Sequence, residues 1–73
     1  GKSFSILFGI PFPKSYSKKK RKELFLKPHN QKPDLDNMIK AVADILMKED
    51  KEIYKIKAKK IWSNKPIIII LNN

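Results

Sequence analysis

The chain of 73 residues carries 17 Lys and Arg against 7 Asp and Glu, a net charge of +10, with 41% hydrophobic residues and no cysteine. That length allows one domain with a marginal core, burying only about 60% of its unfolded surface, and the missing cysteines exclude disulfide and thiolate-zinc staples. The hydrophobic share excludes a disordered chain, and the positive excess points to a polyanion, nucleic acid before an acidic membrane.

The first segment, "SFSILFGIPF", reads as a strand of aliphatic and aromatic residues ended by Pro11 and Pro13. It has one preceding lysine and no small-residue cleavage site, so it reads as part of the domain and not as a signal peptide. In "KSYSKKKRKELFLK", consecutive cations run from Lys18 to Lys22, and Ser17 fits the N-cap of a short helix anchored by Leu24 and Phe25. "PHNQKP" is a loop by composition. From Asp34 onward, Leu35, Met38, Ile39, Val42, Ile45 and Leu46 recur at offsets of three and four, which predicts an amphipathic helix of about three to four turns. "KED" at 48–50 is its polar exit.

Beyond it, "KEIYKIKAKKIW" alternates, with Ile53, Lys55, Lys57 and Lys59 on one side and Tyr54, Ile56, Ala58 and Lys60 on the other. This predicts a strand with a lysine-bearing face. "SNKP" is a turn, and "IIIIL" at 67–71 reads as a buried strand, far too short to span a bilayer. The expected architecture is one α+β domain over residues 1–73. It has a small mixed sheet, the long helix packed on it, and the last two strands paired as an antiparallel β-hairpin.

The chemistry centres on "PHNQKPDLDN" at 28–37. Asp34 and Asp36 sit at a helix start, and Lys40 shares the helix face of Asp36. Asp50 follows the helix, and the fold decides whether it returns beside Asp36. Three carboxylates and a lysine would suit Mg²⁺ or Mn²⁺, hard ions that take oxygen ligands. From spacing alone, an N-capping role for Asp34 outweighs a metal role. Likewise Asp36–Lys40 reads as a surface ion pair, Asp50 as a solvated helix end, His29 as incidental and Trp62 as a packing residue. The alternative to an enzyme is a non-catalytic basic nucleic-acid-binding domain.

"KPHNQKPDLDNMIKAVADIL" resembles the core of the RusA-type Holliday-junction resolvases, a KPDLDN-like run entering a helix with a lysine four residues after the second Asp. "IPFPKSYSKKKRK" before it and "EDKEIYKIKAKKIW" after it resemble the flanking family segments, so the likeness spans roughly residues 8–62 in the family's order. It implies that Asp34, Asp36 and Asp50 are metal-binding catalytic carboxylates for Mg²⁺, with Mn²⁺ as a substitute. Lys40 takes a catalytic, phosphate-directed role, with Asn37 and Glu49 in support. Between Lys40 and Asp50 the chain is shorter than the family pattern. Family members are usually longer, with a further N-terminal strand bearing basic residues, so the expectation is either a domain truncated at its N-terminus or a reduced member of the family.

The resemblance further implies an intertwined homodimer that receives branched DNA between two acidic sites and resolves four-way junctions by paired nicks. Lys18, Lys19, Lys20, Arg21, Lys22, Lys32, Lys57 and Lys59 are the expected DNA-backbone contacts. No small-molecule cofactor and no membrane partner is expected, and the setting is the cytoplasm of a bacterial cell, with a cellular, phage or prophage gene.

Overall fold

A computed structural model describes residues 1–73. Five elements follow in order: β1 (Lys2–Pro11), α1 (Lys18–Leu24), α2 (Leu35–Glu49), β2 (Ile53–Ser63) and β3 (Ile67–Asn72). The mixed α+β class and the element order agree with the sequence reading. No helix is long and apolar enough to cross a membrane.

The sheet order is β2-β1-β3, with β1 parallel to β2 and antiparallel to β3. The expected β2–β3 hairpin is therefore not formed: the two C-terminal strands flank β1 instead of pairing. The reason lies at the outer edge of β2. There Leu26 N–H donates to the Trp62 carbonyl at 3.0 Å, Trp62 N–H to Lys27 at 3.0 Å and His29 N–H to Lys60 at 3.0 Å. Residues 26–29 thus occupy the edge that a hairpin partner would use, and β3 takes the free edge of β1. The connection 64–66 must cross two strand spacings, about 10 Å. It passes the end of β1 at Gly9, where a Cβ would lie 3.0 Å from both Ser63 Cβ and Ile67 Cβ. A side chain at that position would push the two strands apart.

Register divides the sheet into two faces. Phe4, Ile6, Phe8 and Ile10 of β1 align with Ile56, Ala58, Lys60 and Trp62 of β2, and Ile70 and Ile68 of β3 align with Ile6 and Phe8. This face carries α2, whose Leu35, Met38, Ile39, Val42 and Leu46 are half-buried as the periodicity predicts, whereas Ile45 of the same pattern is 67% exposed. Ile6 and Phe8 are its most deeply buried side chains. Lys55, Lys57 and Lys59 align with Ser3, Ser5 and Leu7 on the opposite face, in agreement with the predicted alternation. A register shift between Lys2 and Ser3 carries Ile53 across to the buried side, so it leaves the lysines with which simple alternation grouped it.

The reading of "IIIIL" as a buried strand is overturned, since Ile67 to Leu71 are all exposed, between 40% and 59%. A helix with its side chains is about 10 Å across, the width of two strands, so α2 roofs the β2–β1 side and leaves the third strand open.

The connection into α2 is held by aromatic packing. Trp62 is buried and stacks on Phe12 at 5.4 Å, with Tyr16 at 5.6 Å and His29 at 4.2 Å. Its role is packing, as expected, and its ring is closed to a base. Ser17 caps α1, accepting from Lys20 N–H at 3.1 Å. Leu26, with φ of 65°, reverses the chain after α1 and sends it along β2.

Candidate functional site

Residues 28–33 leave the edge of β2 at His29 and deliver the chain to the start of α2. Asp34 has the extended backbone of an N-cap, φ −70° and ψ 137°, yet its carboxylate accepts no capping hydrogen bond. The capping role that spacing favoured is therefore filled by backbone position alone, and the side chain is free. Asp36 lies in the first turn and is exposed. Both acids line an open concavity of about 630 Å³ together with His29, Gln31, Lys59 and Lys60.

Neither acid is in an ion pair, because both ion pairs of the chain belong to Lys2. The expected Asp36–Lys40 pair is thus not formed. Lys40 is exposed one turn along α2, and Asn37 is exposed beside Asp36. Two unpaired carboxylates at a helix N-terminus are an all-oxygen donor set. Mg²⁺ is held in such a way, by one or two carboxylates plus waters and substrate phosphate.

Asp50 stands at the other end of α2, as its C-cap. Sixteen helical steps separate it from Asp34, about 24 Å at the rise of an α-helix, and no three acidic or histidine side chains of the chain converge at a metal-holding spacing. The three carboxylates are not brought together within one chain. Asp50 is instead engaged locally: Lys2 Nζ donates to Oδ2 at 2.6 Å and Glu52 N–H to Oδ1 at 2.9 Å. The hydrogen bond and charge of Lys2 hold the Asp50 carboxyl below the usual range, and Asp50 holds the Lys2 ammonium above its own. Glu49 is the exposed last residue of α2.

The basic residues divide by role. Lys18, Lys19, Lys20 and Lys22 of α1 are exposed. Arg21 is half-buried and donates to the carbonyls of Tyr16 at 3.0 Å, Pro13 at 3.3 Å and Lys14 at 3.4 Å, so it fastens the loop before α1. Lys20 Nζ lies 3.9 Å from the centre of the Tyr16 ring. Lys32 is exposed in the loop ahead of Asp34, and Lys57 and Lys59 are exposed on the sheet face away from α2.

Two residues near the acids escaped the sequence reading. His29 is 5% exposed, packed on Trp62, with an Nδ1 that meets no partner. Burial, with the Lys60 charge adding to it, lowers its pKa below the usual 6.5. Lys60 stands on the helix-facing side of β2, where alternation assigns apolar residues, and its ammonium donates to the carbonyls of Gln31 and Pro33. The one signal for Lys60 in the sequence was a cation at an otherwise apolar register position. For His29 there was none, since a lone histidine between prolines reads as loop.

No curated relative and no solved structure matches the chain. A family model described as Endodeoxyribonuclease RusA matches residues 2–71. That match runs from the first residue of β1 to the penultimate residue of β3 and takes in the acidic loop, α2 and the lysine-bearing strand. Over nearly its whole length, then, the chain belongs to the RusA endodeoxyribonuclease family.

Proposed function

We propose that the protein is a Mg²⁺-dependent, structure-selective endodeoxyribonuclease that resolves four-way DNA junctions by paired symmetric nicks, acting as a homodimer. The observation that carries this reading is the pair Asp34 and Asp36. They are exposed, unpaired and adjacent at the start of α2, in a chain of net charge +10. Unpartnered acids amid such an excess of lysine are suited to a divalent cation, which in turn suits a phosphate.

Asp34 and Asp36 hold the cation, and Mn²⁺ fits the same oxygen set. When bound, the ion supplies Lewis-acid activation of water and neutralises charge at the scissile phosphate. Lys40 directs its ammonium to that phosphate, and Asn37 supports the acids from the same turn. Lys18, Lys19, Lys20, Lys22, Lys32, Lys57 and Lys59 hold the DNA backbone, an interaction that carries little sequence information.

Asp50 joins the site through the dimer. One helix carries the acid pair at its start and Asp50 at its end, so two α2 helices side by side and antiparallel bring each Asp50 to the other copy's pair. Ile45 and Met47, 67% and 44% exposed on α2, supply apolar surface for that interface. Glu49 then stands beside the site in support.

Incubation of the protein with a synthetic four-way junction and with linear duplex, in Mg²⁺ and in chelator, tests the proposal. Symmetric nicks in the junction alone, and only with metal, are expected. Equal cleavage of the duplex, or cleavage in chelator, would refute it.

A further inference from the structure

We propose that Lys60 is a positioning residue for the acid pair: by donating to the carbonyls of Gln31 and Pro33 it fixes the loop from which Asp34 and Asp36 are presented. The inference rests on the reading of those two acids as cation ligands. Lys60 occupies the helix-facing side of β2 between Ala58 and Trp62, in register with the buried Phe8. Lys60 is half-buried: its stem lies along that face, and its ammonium reaches the exposed rim, where it finds acceptors in the loop before α2. The acceptors it finds are the carbonyls on either side of Lys32, the second of them immediately before Asp34.

The strand side of the same loop is pinned by the His29 N–H on the Lys60 carbonyl and by the His29 ring on Trp62. Backbone and side chain of one residue therefore clamp both ends of 29–33, and α2 begins where the clamp ends. Lys60 also lines the concavity that the acids open into. This arrangement serves the acids as a ligand-orienting shell serves a metal site, where loss of one such partner typically costs about 10- to 100-fold in metal affinity.

The test uses the full chain as wild type, Lys60→Met, Lys60→Arg and Asp36→Asn. Hydrogen exchange is measured without metal, Mn²⁺ affinity by electron paramagnetic resonance, and Mg²⁺ dependence by junction nicking. Lys60→Met is expected to speed exchange of amides 31–37 while β1 stays protected, and to weaken Mn²⁺ binding by about 10-fold or more. Its nicking rate recovers at saturating Mg²⁺, and Lys60→Arg, which keeps donors for both carbonyls, restores most of the affinity. If methionine prevents folding, Lys60→Ala, which likewise has no donor, gives the same comparison.

Unchanged exchange in 31–37, or unchanged Mn²⁺ affinity, overturns the proposal. So does a loss confined to junction binding and its salt slope, which makes Lys60 a plain phosphate ligand. Wild-type Mn²⁺ affinity in Asp36→Asn instead overturns the cation reading of the acid pair, and the exchange data still decide whether Lys60 holds the loop.

Discussion

The two ends of α2 carry the same residue type in opposite states. At the start, Asp34 and Asp36 are free of ion pairs, and Asp34 leaves even the capping bond unmade. At the end, Asp50 engages both oxygens, one with the Lys2 ammonium and one with the Glu52 amide. Lack of an ion pair does not by itself set Asp34 and Asp36 apart, since Glu23, Asp44 and Glu49 have none either; what does is that these two stand together at a helix start and line one concavity with Lys59 and Lys60. The satisfied acid at the far end anchors β1 to the turn before β2, and takes part in chemistry only if a second copy supplies the other end of the helix.

Removing the free acids should have the largest effect. Asp36→Asn is expected to lower junction nicking by more than about 10²-fold, since Lewis-acid stabilisation is worth several kcal/mol. Junction binding in a gel-shift assay should persist, and retained nicking would erase the distinction between the two ends.

Next comes the pair at the other end. Asp50→Asn and Lys2→Met each remove the same ion pair, so a purely structural Asp50 gives equal effects on folding and on nicking. A role for Asp50 in the dimer site gives a large nicking defect in Asp50→Asn alone, with both variants similar in thermal denaturation.

Charge on α1 should act more uniformly. Replacing Lys18, Lys19, Lys20 and Lys22 by Gln is expected to lower the slope of log affinity against log salt by about 0.9 for each phosphate no longer neutralised. Arg21 is left out because its guanidinium holds the loop at 13–16. A slope equal to that of the wild type would remove α1 from the interface.

The smallest effect concerns acid stability. His29 has a folded pKa below 6.5, so its stabilising contribution is complete above that value and is lost as pH falls through the folded pKa. The urea midpoint of the wild type should therefore fall as pH drops below 6.5, while His29→Gln stays flat there. Asp50, whose depressed pKa acts only below the usual carboxylate value of 3.8, contributes its own loss at more acid pH. A wild-type midpoint independent of pH in the upper window would show that the ring is not held neutral by burial.

Much of the fold was legible because local patterns carried it. The periodicity of 35–46 predicted α2 and its covered face, Ser17 predicted the start of α1, and alternation predicted the lysine face of β2. The hairpin failed because "PHNQKP" reads as loop and Leu26 and Lys27 before it as the tail of a helical stretch, although the backbone groups of 26–29 pair with Lys60 and Trp62 and close the edge of β2. The run "IIIIL" failed as a buried strand because burial depends on what lies above a strand, and one helix cannot roof three.

Within the candidate site, the sequence alone determined that two acids would stand at a helix start among lysines, since capping position and helical spacing are local properties. Only the tertiary structure decided which acids are free. It paired Asp50 with Lys2 across 48 residues, left Asp34 and Asp36 open, and set Lys60 on the carbonyls beside them. Such partnerships depend on strand register and sheet order, which arise from long-range pairing that no short stretch of sequence encodes.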